Sequence, residues 1–419
     1  MNIDDLILVS IDDHVIEPPD MFKNHIPARW AADAPHVVSQ RGGEHWVFQG
    51  RPSGTMGLNA VVGWPKEEWG FNPASFSEIR PGAHDVDERI RDMNRNGVLG
   101  TMCFPTFPGF SGRHLTGADD KELSHVVIQA YNDWHIDEWA ASYPGRIIPL
   151  SILPTWDPEL AAAEIRRVAA KGARGVSLPE LPHVEGLPSY HDIDHWHPVF
   201  TALSDTGLVM CLHIGQGFAA INGAADAPID NLIILATQVS TFAAQDLLWG
   251  PALRSYPDLK VAWSEAGIGW IPFYLGRCDR HYLNQRWLGN DFGGKLPSEV
   301  FREHSLACYV TDPVALKVRD DIGIDIIAWE CDYPHSDSIW PDAPEQVMAE
   351  MSGAGVPDDE IHKITWQNAC RFFNWDPFVS VPRSRASVGA LRASALDVDV
   401  TVRSRQEWAV LNGAGDLIL

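Results

Sequence analysis

Eight short, almost uninterrupted apolar runs, separated by amphipathic segments, do most to restrict what this 419-residue chain can fold into. They cover residues 6–11, 98–104, 147–152, 175–178, 208–213, 259–263, 305–309 and 324–329. A strand with one wet face alternates apolar and polar residues. These runs do not, so they are expected to be parallel strands covered on both faces. The intervening segments carry helix signals. Asp85 and Glu88 form a capping-box pattern around a stripe of Val86, Ile90 and Met93. Asp157 precedes Pro158, and Ala161, Ile165 and Val168 then recur on one face. Leu123, Val127, Ala130 and Trp134 make a third stripe. Strand–helix alternation needs parallel crossovers, and eight of them predict an α/β chain closed as a (β/α)8 TIM barrel. An open doubly wound sheet would want a Gly-rich first turn, and the first turn here is Asp12-Asp13-His14-Val15-Ile16-Glu17-Pro18-Pro19.

Three stretches fall outside the repeat. Residues 34–80 read as an insertion after the first strand, with short strand-like pieces around Gly50-Arg51-Pro52. Residues 214–240 form a long Gly/Ala-rich connection, suited to a lid or a subunit contact. Residues 376–419 follow the last helix as a C-terminal extension, which leaves 1–375 as the barrel.

The formal charge of −24 repels phosphate backbones and anionic lipids, so neither nucleic acid nor membrane is expected as a partner. The six cysteines are scattered, and several lie in apolar runs, which fits buried thiols in a reducing compartment. No basic-then-apolar leader is read, and no apolar run nears the roughly 20 residues that span a bilayer. The expectation is a cytoplasmic protein acting on a small molecule, as a homo-oligomer or as a hetero-oligomer with a homologous subunit.

Catalytic groups of such barrels sit where strands end. Of 17 histidines, His14, His213 and His335 fall at or just beyond a strand end, and His183 follows the fourth run at a distance. Acids fall at the same places: Asp12 and Asp13, Glu180, Glu265 and Asp332. Alternation along the first strand puts Asp12 and His14 on one side and turns Asp13 away. Imidazoles and carboxylates converging on one mouth suit a divalent metal, and a cation is the simplest way to stabilise such a cluster of acids. Each residue also has a plain reading. His14 alone could be a hydrogen-bonded structural group, Glu265 could serve the N-terminus of the helix beginning near Ile268, and Asp332 could cap a turn. His195, Trp196 and His197 open a helix and read as packing or surface residues. What favours the metal is coincidence at the ends of strands one, five, six and eight.

Four ordered segments resemble the amidohydrolase superfamily: the Asp12–Pro19 turn, Cys211-Leu212-His213-Ile214-Gly215, Ser264-Glu265-Ala266-Gly267-Ile268-Gly269-Trp270-Ile271-Pro272 and Asp332-Tyr333-Pro334-His335-Ser336. They are similar to the branch containing aminocarboxymuconate-semialdehyde and dihydroxybenzoate decarboxylases, over about residues 6–375, ending in Thr365-Trp366-Gln367-Asn368-Ala369. The resemblance implies metal ligands Asp12, His14, His213 and Asp332, with His213, Glu265 and Asp332 as catalytic groups. Asp12 stands where the branch has His or Glu, and Glu265 stands where it has His. This oxygen-rich set moves the preference from zinc towards manganese or iron. His335 and Glu265 add ligands or a bridge for a second ion, so one ion or two are open.

The leading expectation is therefore a metal-dependent hydrolase or decarboxylase, cleaving C–N, C–O or C–C bonds of a small, cyclic carboxylate- or carbonyl-bearing compound through a metal-activated water. Two alternatives stand beside it. One is a dinuclear iron or iron/manganese oxygenase on the same fold, and the other is a non-catalytic partner of a homologous enzyme.

Overall fold

The computed structural model describes residues 1–40, 42–52, 56–217, 220, 224 and 226–414. These divide into two units, Met1–Leu150 with Glu330–Val347 and Asp376–Leu419, and Ser151–Trp329 with Met348–Trp375.

In the first unit, the run after the N-terminus forms β1 (Leu8–Val15), every residue of which is buried. The insertion supplies β2 (His36–Gln40), β3 (Gly43–Phe48) and β4 (Arg51–Pro52), an antiparallel sheet in that order. β5 (Val98–Pro105) and β6 (Ile147–Ile148) then line up parallel to β1 in the order β1-β5-β6. Between Ser10 and Asp13, β1 advances three residues while β5 advances two, from Thr101 to Cys103. Such a bulge bends a strand and re-aims its side chains, and it falls at the residues singled out from sequence. The helix Val86–Asn96 starts as expected, with the Asp85 side chain accepting from the backbone N–H of Asp87 and Glu88. It ends at Gly97, whose φ of 74° favours glycine, and where a Cβ would meet Val388 at 2.9 Å.

That contact belongs to the C-terminal stretch, which is not a separate extension. Val388 N–H donates to the Leu6 carbonyl at 2.8 Å, and Trp408 is buried against Val61 and Trp64 of the insertion. Burying a Trp removes roughly 150–250 Å² from water, so this segment packs as part of the unit.

The second unit carries β7 (Leu150–Ile152), β8 (Gly175–Leu178), β9 (Val209–His213), β10 (Val261–Ser264), β11 (Ser305–Tyr309) and β12 (Ile327–Trp329) as one sheet, ordered β12-β11-β10-β9-β8-β7. From β8 through β12 each strand pairs parallel with the next. The expected run at 147–152 is thus two short pieces, β6 and β7. The run at 324–329 is half strand: Ile324–Ile326 is a 3-10 turn, and Asn368 Nδ2 donates to the carbonyls of Ile324 and Ile327. The helix Pro158–Lys171 begins at Asp157, whose carboxylate accepts from Glu159 and Leu160, and the helix Ile193–Thr206 begins at Asp192. With β6 and β7 counted as one, eight parallel strand positions alternate with helices, which is the α/β TIM-barrel class.

Two expectations need adjusting. The connection at 214–240 contains a helix, Ile229–Leu235, while residues 218–219, 221–223 and 225 lie outside the described set. Together with the helix Gln238–Trp249 it makes a 21-residue stretch, Ile229–Trp249, long and apolar enough by composition to cross a membrane, although 39% of its 18-residue apolar window is buried within the chain. The sequence reading missed it because Asp230 and Asn231 break the apolar run. All six cysteines are free, and five are buried.

Candidate metal centre

In the first unit, the segment after β12 is hydrogen-bonded to β1. Cys331 N–H donates to Ser10 Oγ at 2.8 Å, Asp332 N–H to the Asp12 carbonyl at 2.8 Å, and His14 N–H to the Tyr333 carbonyl at 2.7 Å. These bonds bring together four buried side chains from the two ends of the chain. Nε2 of His14 lies 3.5 Å from Oδ1 of Asp12 and 3.3 Å from Oδ1 of Asp332. Nδ1 of His335 lies 3.0 Å from the same Asp332 oxygen, and the rings of His14 and His335 stack with centroids 3.7 Å apart. His14, Asp332 and His335 each present a donor atom within 4.8 Å of the others. One cation at about 2.0–2.2 Å from each donor fits that span. Burial and then the charges of Asp332 and Asp13 hold the Asp12 carboxyl well above the usual carboxylate range. A site that raises the cost of its own negative charge in this way is one a divalent cation relieves.

Asp13 points the other way, as alternation requires. Its carboxylate accepts from Thr101 Oγ1, from Ser10 Oγ at 3.0 Å and from the Tyr333 N–H at 3.0 Å, and it faces the Arg89 guanidinium at 3.7 Å. Arg89 also donates to the carbonyls of His14 and Gly82. Burial still pushes the Asp13 carboxyl up, against the lowering effect of Arg89 and of these hydrogen bonds. This buried network fixes the backbone that presents Asp12, His14 and Asp332.

A second support is Glu17, whose two oxygens accept from the backbone N–H of Thr106 and Phe107 at 2.9 and 2.8 Å. Burial raises it to about 7, with those bonds opposing the shift. The loop it ties down carries Phe110, whose ring lies 4.9 Å from that of His14. The strand-end rule applied to aromatic residues would have found Phe110; searching only for acids and histidines passed over it.

In the second unit, His213 ends β9 and Glu265 follows β10. Nδ1 of His213 sits 2.6 Å from the Ile214 carbonyl, which can only accept, so Nδ1 donates there. The other ring nitrogen, Nε2, lies 3.5 Å from Oε2 of Glu265. Glu265 has φ of 56°, and Asp332 in the first unit has φ of 57°, left-handed conformations unusual for side chains of this size. The reading of Glu265 as a helix N-terminal acid is displaced by Asp312, which accepts from Ile268 and Gly269 N–H at 3.2 and 2.9 Å ahead of the helix Trp270–Asn284. Glu180, after β8, accepts from Ser240 Oγ at 3.2 Å. Burial raises it to about 8, hydrogen bonds from Ser240, Gly217 and Gln216 oppose the rise, and the Glu265 charge adds to it.

His183 is half exposed, 3.9 Å from Asp246. Trp196 is buried, while His197 is exposed and meets Tyr256 Oη at 2.5 Å, so the group opening that helix has packing and surface roles.

Residues 30–375 match the family model described as Amidohydrolase. Gamma-resorcylate decarboxylase of Polaromonas sp. strain JS666 is 22% identical over 325 residues, covering 73% of this chain and 92% of that protein. An amidohydrolase of Mycobacterium avium subsp. paratuberculosis superposes with a TM-score of 0.68 at 20% identity, over 88% of this chain and 99% of that one. A dihydroxybenzoic acid decarboxylase of Polaromonas sp. JS666, solved with manganese and the inhibitor 2-nitroresorcinol, gives a TM-score of 0.57 at 19% identity, over 76% and 92%. With most of its length matched by that family model, the chain belongs to the amidohydrolase family.

Proposed function

We propose that this protein is a metal-dependent decarboxylase of a small aromatic carboxylate, with manganese as the preferred ion. The observation that carries the reading is the buried convergence of Asp12, His14 and Asp332, held by backbone bonds between β1 and the segment after β12. The comparisons add the reaction class, since the matches from Polaromonas sp. JS666 are a gamma-resorcylate decarboxylase and a dihydroxybenzoic acid decarboxylase solved with manganese.

Asp12, His14 and Asp332 are the proposed ligands from the first unit, and His213 is proposed as a further one. When bound, the ion supplies positive charge that orients the substrate's oxygens and polarises them. Asp332 handles the ring proton: the bond from ring carbon to carboxylate breaks, carbon dioxide leaves, and the same ring carbon takes up a proton. Glu265, whose Oε2 lies 3.5 Å from Nε2 of His213, relays that proton. Hydrolysis would use the same ligands, with Asp332 as base towards a water. Comparing carbon dioxide release from a hydroxybenzoate panel with turnover of cyclic esters and amides tests the choice. Hydrolysis without carbon dioxide release would overturn the decarboxylase reading.

One observation favours a second reading. His335 stacks on His14 and meets the same oxygen of Asp332, so a dinuclear iron or iron/manganese site is the alternative. It demands two metal equivalents per chain and oxygen-dependent turnover.

A further inference from the structure

The loop that follows β5 carries groups the metal centre does not use. In β5, Phe104 pairs with His14 and Pro105 with Val15, so the chain leaves the strand beside a candidate ligand. Residues 106–112 then make two successive turns, with Gly109 N–H donating to the Thr106 carbonyl at 3.1 Å and Gly112 N–H to the Gly109 carbonyl at 2.8 Å. Gly109 and Gly112 have φ of 77° and 81°, a region that favours glycine. The Glu17 carboxylate holds the start of the loop through Thr106 and Phe107 N–H, and the Phe107 ring stacks on Trp46 with centroids 4.7 Å apart. Fixed in this way, the loop sets the Phe110 ring 4.9 Å from that of His14 and 6.4 Å from that of His335. Phe104, which also neighbours His14, is fully buried, whereas Phe110 keeps part of its surface open. The hydroxyls of Thr106 and Ser111 are buried and have no hydrogen-bond partner among the described residues. Buried hydroxyls are nearly always bonded, so two orphans in one short loop point to a ligand that satisfies them.

We propose that the loop 106–111 selects the substrate: the open face of Phe110 packs against a planar aromatic ring, and the hydroxyls of Thr106 and Ser111 hydrogen-bond to polar groups on that ring. This inference rests on the reading of the substrate as an aromatic carboxylate and narrows it to flat, hydroxylated rings. Phe110 suits the part by position and by chemistry. It borders two imidazoles of the ligand cluster, so a molecule whose oxygens reach the ion brings its carbon frame alongside the phenyl ring. Ring-on-ring contact is worth more than burial alone, and a saturated ring offers no flat face to it. The hydroxyls add a second filter, because a site built to bond a hydroxyl penalises the analogue that lacks it. The two turns, Glu17 and the stack of Phe107 on Trp46 preorganise the loop, so little ordering is left to be done on binding.

Isothermal titration calorimetry on the manganese-loaded chain reads this without reference to turnover. The probes are 2-hydroxybenzoate, benzoate and cyclohexanecarboxylate. Wild type is expected to bind benzoate about ten-fold more tightly than cyclohexanecarboxylate, and 2-hydroxybenzoate about ten-fold more tightly than benzoate. Phe110→Leu should reduce the first preference to within about two-fold with manganese content unchanged, and Phe110→Tyr should keep it. Thr106→Val/Ser111→Ala should remove the second preference and leave benzoate affinity within about two-fold of wild type. A preference that survives Phe110→Leu, loss of manganese in that variant, or a wild type that does not separate the three acids would overturn the proposal. If wild type separates them but releases carbon dioxide from none, the decarboxylase reading falls and selection by this loop stands.

Discussion

The backbone N–H of Asp332 donates to the carbonyl of Asp12 at 2.8 Å, joining the two ends of the chain at the position where the candidate ligands meet. Main-chain pairing therefore holds the site together, and a side-chain change there leaves that pairing in place.

Replacing Asp332 with Asn keeps the size and the backbone bond but removes the charge and the basic oxygen. Turnover is expected to fall by at least about 100-fold, the scale of a lost general acid–base group, while the melting temperature stays within a few degrees of wild type. Steady-state kinetics beside a thermal melt check this. An unchanged rate removes Asp332 from the chemistry.

Glu265→Gln separates proton handling from metal holding. Turnover should drop by roughly 100-fold or more with manganese content unchanged. Loss of the metal along with the rate would instead make Glu265 a ligand.

Asp13→Ala leaves Arg89 buried beside an empty position and frees Ser10, Thr101 and the Tyr333 N–H. Breaking a buried ion pair from one side costs about 3–5 kcal/mol, so this change should damage stability far more than Asp332→Asn does. Denaturant unfolding of the two variants side by side gives the comparison.

Glu180 provides a pH signature. Burial lifts it from 4.5 to about 8, so the folded state holds this proton more tightly than the unfolded chain. The associated stability is fully present below pH 4.5 and is lost as pH rises through about 8. Relative to Glu180→Gln, the chelator-treated wild type should lose on the order of 5 kcal/mol over that window. Parallel slopes for the two proteins would contradict the assignment.

Much of this was legible in the sequence, because strand period and strand ends follow directly from residue type. The unbroken apolar runs located the parallel strands, and the alternation Asp12-Asp13-His14 separated Asp12, which faces His14, from Asp13, which faces Ser10 and Arg89. What escaped depended on contacts between distant segments. Nothing local in 324–326 shows that Asn368 takes its carbonyls, nothing around Asp312 shows that it serves the helix after β10, and nothing in 376–414 shows that Trp408 packs on the insertion. The bulge in β1 belongs to the same class, since it is defined by its partner strand.

The central claim is a divalent ion held by Asp12, His14 and Asp332, and elemental analysis joined to manganese titration of chelated protein tests it most directly. The account predicts at least one manganese per chain, activity that returns with the metal, and loss of binding in an Asp12→Asn/Asp332→Asn variant that remains folded. A chain that binds no divalent ion, or turns over equally well after chelation, would contradict it.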